Sequence, residues 1–60
     1  MNVQQLLRAY EHGERNFAGI NLQGADLRGE ALIGVNFQGA NLMGANLSRT
    51  FLLKADLSGA

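Results

Sequence analysis

Few side chains in this sequence could do chemistry: one histidine, two serines, an isolated glutamate and a run of glycines. His12 is the single histidine and no cysteine accompanies it. Transition-metal sites draw on several His, Cys or carboxylate ligands at set spacing, so His12 is expected at a surface or a helix end rather than on a metal. Ser48 and Ser58 have no histidine placed to activate them as a nucleophile. Glu30 has no second acid, base or nucleophile that would make it a general acid or base. The glycines recur at one constant spacing, which marks them as structural rather than as a phosphate cradle, and no nucleotide-binding or zinc-protease motif occurs. Asn46-Leu47-Ser48 has the form of a glycosylation sequon but lies inside a repeat, with no secretion signal before it. The residues therefore predict a non-enzymatic protein with no catalytic residues, no cofactor and no metal.

Composition narrows the classes further. A chain of 60 residues forms one small domain at most, and at that size a single core leaves stability marginal unless disulfides, metals or assembly assist. No cysteine is present to form a disulfide or a thiolate site. Five basic and five acidic side chains cancel, so there is no basic stripe of the kind that binds a phosphate backbone, and no nucleic acid partner is expected. Apolar runs are far too short to span a bilayer, so membrane insertion is not expected either. The first residues carry no apolar signal-peptide core. The expected location is cytoplasmic.

What positions these residues is a repeat with a period of five. Its centres are Phe17, Leu22, Leu27, Leu32, Phe37, Leu42, Leu47, Leu52 and Leu57, all Leu or Phe. The residue before the centre is Asn or Asp in seven of nine units, and the residue two after it is Gly in seven of nine. A period of five fits neither a helix face nor a flat strand. Yet every centre demands burial. A chain that turns one corner per unit meets that demand: Asn and Asp favour such turns by bonding nearby backbone, and Gly tolerates the backbone angles required.

"GADLRG", "GANLMGANLS" and "KADLSGA" are nearly verbatim copies of A(D/N)LxG, and on these residues the chain resembles the pentapeptide-repeat family. The resemblance covers residues 16–60, and the opening "LLRAYEHGERNFAG" is similar to the lead-in of cyanobacterial members. It implies an all-β solenoid, a right-handed quadrilateral β-helix of about two coils in which four units make one coil and residues twenty apart stack. The expected organisation is a capping helix over residues 2–13 and a β-helix over residues 15–60, which could be the start of a longer solenoid. For the helix, Asn2 is expected to cap with Gln5 in a capping box. Val3, Leu6, Leu7 and Tyr10 share one face, and Gly13 is the stop. Its predicted role is a lid over the open end of the solenoid.

Stacking at twenty places Phe17 below Phe37 and Leu57, Leu22 below Leu42, Leu27 below Leu47, and Leu32 below Leu52. It also brings both breaks in the pattern, "GEALIG" and "RTFLLK", onto one side. Ala31 lies under Phe51 and Ile33 under Leu53, so these four residues form a candidate protein-contact patch. A contiguous apolar patch is informative where scattered apolar residues are not. Three explanations are open: a contact with another molecule, cover by the chain's own N-terminal segment, or tolerance at the surface. Glu30 faces inward in this register, where an unpaired carboxylate is costly. It is expected to bond Thr50, to reach solvent, or to pair with Arg15 or Arg49.

The functional expectation is a structural or protein–protein interaction module whose partner is a protein, itself or another. Self-association through an open coil end or through the side stripe would make it a homo-oligomer or part of a larger assembly. The family resemblance implies an alternative, a DNA mimic that binds type II topoisomerases, but that role suits a long acidic rod and this chain has no net charge. A further alternative is the N-terminal part of a longer pentapeptide-repeat protein.

Overall fold

In the computed structural model, which describes residues 1–60, Asn2 Oδ1 accepts the Gln5 N–H at 2.8 Å and Gln5 Oε1 accepts the Asn2 N–H at 3.0 Å. This reciprocal capping box satisfies two donors that a helix start otherwise leaves free. Helix α1 runs from there over Val3–Glu11. Its apolar face carries Leu6, which is fully buried, with Val3, Leu7, Ala9 and Tyr10 packed against the same core. His12 closes the helix: its backbone N–H bonds to the Arg8 and Ala9 carbonyls, and its Nδ1 lies 2.8 Å from Arg8 O. Gly13, with φ of 95°, turns the chain out of the helix.

From Asn16 onward the chain makes a corner every five residues. Two local bonds recur at the corners, the first in seven of the nine units and the second in eight. The Asn or Asp side chain accepts the N–H two residues on, as Asn21 does from Gln23 at 3.0 Å and Asn41 from Met43 at 3.0 Å. The carbonyl of the apolar centre accepts the N–H three residues on, as Leu22 does from Ala25 at 3.0 Å. A four-residue turn of this kind needs a positive φ at its third residue when it is of type II. That third position is the repeat glycine, for example Gly44 at 71°. A Cβ built there would meet nothing closer than 3.9 Å, so glycine serves the backbone angle and not a shortage of space.

Between units the register is twenty. Parallel bridges join Asn16 to Asn36, Asn21 to Asn41, Asp26 to Asn46, Ala31 to Phe51 and Asn36 to Asp56. Each bridge is supported by N–H to carbonyl bonds such as Leu32 N to Phe51 O at 2.8 Å and Phe51 N to Glu30 O at 2.9 Å. The chain thus rises in tiers, each twenty residues above the last. β-pairing is confined to these single-residue bridges, because a corner at every fifth residue leaves no straight segment long enough for an extended strand.

The core is the column of centres. Phe17, Leu22, Leu27, Leu32 and Phe37 are buried, with Val35, Ala40 and Leu6 completing the cluster. Leu42, Leu47 and Leu52 sit above them and are only partly buried. The rings of Phe17 and Phe37 meet at 6.1 Å between centroids and tilt by 51°, nearer an edge-to-face contact than a stack and within the favourable range for aromatic pairs. No buried side-chain N or O lacks a partner.

Candidate contact surface

The Asn or Asp before each centre has a defined task, so a unit without one has a donor left over. In seven units the N–H two residues on is accepted by that side chain: Ala18 by Asn16, Gln23 by Asn21, Arg28 by Asp26, Gln38 by Asn36, Met43 by Asn41, Ser48 by Asn46 and Ser58 by Asp56, at 2.9 to 3.2 Å. The two exceptions are the units of Ala31 and Phe51, which stand one above the other across a single bridge.

In the Ala31 unit the missing acceptor comes from elsewhere. The Tyr10 hydroxyl, projecting from α1, accepts the Ile33 N–H at 3.2 Å. Arg15 holds the tyrosine in place. Its guanidinium lies 3.8 Å from the Tyr10 ring centroid, and its Nη1 donates to the carbonyls of Tyr10 at 2.9 Å and Glu14 at 2.8 Å. A guanidinium over an aromatic face adds attraction of its own. In the Phe51 unit no group takes this place, and the Leu53 N–H finds no acceptor in the protein.

Burial follows the same division. Ile33 is 42% exposed, while Phe51 is 62% and Leu53 is 68% exposed; Ala31 is exposed beside them. The four residues do lie on one side of the solenoid, with α1 reaching only the lower pair. The helix residues Val3, Leu6, Leu7 and Tyr10 all face the core, and of these Tyr10 also serves the side surface. Sequence reasoning missed that second role. Its available signal was Ala31, whose lack of a polar side chain leaves an N–H to be satisfied.

Two cations lie on either side of the upper pair in the sequence. Arg49 and Lys54 occupy positions that are glycine in the other units, and they keep the left-handed backbone, with φ of 57° and 63°. A residue with a Cβ pays roughly 1–2 kcal/mol for that conformation. Neither makes an ion pair; the one ion pair of the molecule joins Arg28 to Asp26 at 2.9 Å. Glu30 lines a shallow polar groove of about 650 Å³ together with Asp26, Arg28 and Arg49. It is half-buried and ion-pairs with neither Arg15 nor Arg49. Thr50, directly above it, sends its hydroxyl instead to Leu27 O at 2.6 Å.

Three other carboxylates, Asp26, Asp56 and Glu14, are occupied in local turns. Hydrogen bonds from the Arg28 side chain and then its backbone hold Asp26 below its ordinary pKa, and in return Arg28 is raised. The Ser58 hydroxyl and N–H, with the Gln38 amide, do the same for Asp56. The backbone N–H groups of Asn16 and Arg15 do so for Glu14.

The N–H groups of Leu42, Leu47 and Leu52 have no partners, although their counterparts Leu22, Leu27 and Leu32 all bond to the tier above. Ala40, Leu42, Met43, Leu57 and Ala60 line a shallow apolar groove of about 530 Å³ at the upper edge. No helix is long and apolar enough to cross a membrane.

Comparison with known proteins agrees with this geometry. The model of the pentapeptide-repeat family matches residues 16–49 and 31–60, with eight copies of the repeat. An uncharacterized protein of Synechocystis sp., a cyanobacterium, is 66% identical over 29 residues. That match covers 48% of this chain and only 9% of the cyanobacterial protein's length.

Proposed function

The chain belongs to the pentapeptide-repeat family, and from that premise we propose that it is a non-enzymatic protein–protein interaction module built on a right-handed quadrilateral β-helix of about two coils, with α1 as its lid. Four units of five residues per tier follow from the bridge register of twenty, which is the square coil of the proposal. The observation that carries the function is the side stripe: Ile33, Phe51 and Leu53 are exposed together on a surface that is otherwise mostly polar, with Met43 as the other large exposed apolar side chain of the wall. Contiguous exposed apolar side chains mark contact sites on small proteins. The repeat itself does not require them, because most other units place polar residues at the same positions, Ala18 and Met43 excepted.

Self-association belongs to the same proposal. The side stripe of Phe51 and Leu53 offers one copy an apolar surface for another. Sedimentation velocity over a wide concentration range tests the reading. The wild-type chain is expected to grow in apparent mass with concentration, and the double variant Phe51→Asn, Leu53→Ser to associate less while keeping its circular dichroism. A chain that stays monomeric at high micromolar concentration contradicts self-association. Association that survives the double change removes the side stripe from it.

A further inference from the structure

The side stripe is complementary to itself. We propose that two copies of this chain meet face to face across it, antiparallel, about a two-fold axis that lies in the plane of the face and runs across the solenoid. This rests on the stripe being a contact surface and adds the identity of the partner and the way it sits. The face has two rows. Ala31 and Ile33 stand in the lower row and Phe51 and Leu53 in the upper, joined by the Ala31 to Phe51 bridge and by the bond from Gly34 N–H to Leu53 O. The edge beside Ala31 and Phe51 carries Glu30 and Arg49, which line one polar groove. The edge beside Ile33 and Leu53 carries Lys54 above and Gly34 below.

A two-fold contact sets residue i of one copy on residue j of the other, and j on i. With the axis across the solenoid, each upper row meets the other copy's lower row at the same edge. Phe51 then covers Ala31, Leu53 meets Ile33, and Arg49 meets Glu30. A large side chain lies over a small one and opposite charges face each other, twice in every dimer. An axis along the solenoid would instead set Phe51 against Leu53 and Arg49 against Lys54, which opposes like charges. The charge inventory agrees with the first arrangement. Asp26 is taken by Arg28, Asp56 by Ser58 and Gln38, and Glu14 by the Arg15 and Asn16 N–H groups. The two acids left without an ion pair are Glu11, on α1, and Glu30, on the stripe's edge. Arg49 shares that edge and is also without an ion pair. It keeps a left-handed backbone that glycine would adopt without strain. The lower row is open to a partner even with α1 in place, since Ile33 is 42% exposed. With no net charge, two copies approach without long-range repulsion.

The test is sedimentation equilibrium of the full chain as Glu30→Arg, as Arg49→Glu and as their equal mixture, with circular dichroism confirming each fold. Either variant alone opposes like charges at both contacts and should dimerise about tenfold more weakly than wild type. The mixture restores opposite charges at both contacts and should dimerise as wild type does. Lys54→Glu carries the same net charge as Arg49→Glu, so its mixture with Glu30→Arg controls for net charge and should associate less. If Glu30→Arg does not fold, Glu30→Gln and Arg49→Gln replace the pair, each weakening the dimer about fivefold. A mixture no tighter than its separate components overturns the proposal. A gain of association in Lys54→Glu alone overturns it in favour of the axis along the solenoid. Charge variants that all associate like wild type, while Phe51→Asn, Leu53→Ser does not, overturn the antiparallel pairing and leave the stripe as a contact surface. A wild-type chain that stays monomeric at high micromolar concentration overturns self-association itself.

Discussion

Ala31 and Phe51 face each other across one parallel bridge, yet their corners are completed differently. Below, the Tyr10 hydroxyl satisfies Ile33 and α1 covers part of the surface. Above, Leu53 keeps a free N–H, Phe51 and Leu53 are mostly exposed, and two cations hold strained backbone. Both units lost the same polar residue from the repeat. Only one of them gained an internal substitute. The difference teaches that a lapse in a structural repeat carries two separable consequences, an unmet hydrogen bond and an exposed apolar side chain, and that a fold can repair one corner and leave the other as a surface.

The largest expected effect comes from the centres behind these corners. Leu32 is fully buried and Leu52 above it only partly so. Leu32→Ala should cost about 3 kcal/mol and Leu52→Ala about half of that, read from urea unfolding midpoints at constant m. Equal costs would show that the upper corner is as enclosed as the lower one.

Next in size is Tyr10→Phe, which removes only the acceptor of the Ile33 N–H. A loss of about 1 kcal/mol is expected. Adding Ala31→Asn should restore it, because the asparagine supplies the acceptor that the other units use. The same second change in a Tyr10 background should gain little.

Smaller and opposite in sign is Lys54→Gly. Relief of the left-handed strain should raise stability by roughly 0.5–1 kcal/mol, less than the full strain because glycine adds freedom to the unfolded chain. Arg49→Gly should act alike. No gain at either site would mean that their side chains make compensating contacts.

The smallest effect is set by pH. Asp26, Asp56 and Glu14 are held below their ordinary pKa values by hydrogen bonds to their charged forms. Their contribution is present in full above the unfolded-state values near pH 4 and is lost as pH falls through the lower folded-state values. The thermal unfolding midpoint should therefore fall slightly below about pH 4. The Asp26→Asn, Asp56→Asn variant should show less of this, and the Tyr10 to Ile33 bond, which involves no carboxylate, should persist.

Much of this was legible in the sequence. Nine Leu or Phe centres at a spacing of five demand an inward column, and the Asn2 and Gln5 pair marks the helix start, as the hydrogen bonds show. The family and the alignment of Ala31 under Phe51 followed from the same rhythm. What was not legible depends on atoms brought together from distant parts of the chain. Tyr10 looked like one more apolar helix residue, and nothing local reveals that its hydroxyl reaches Ile33. Thr50 stacks on Glu30 and could bond it, but its hydroxyl donates to the Leu27 carbonyl. Arg49 and Lys54 stood out as lost glycines; that they keep glycine's backbone angle instead of relaxing is a result of the turn on either side.

The contrast between the two corners is tested most directly by amide hydrogen exchange, residue by residue, in a dilute sample of the 60-residue chain. The Ile33 amide should be protected by its bond to Tyr10 and lose that protection in Tyr10→Phe, while the Leu53 amide should exchange as fast as an unstructured one. Protection of Leu53 equal to that of Ile33 in the dilute chain would contradict the account, because the upper corner would then be closed from within.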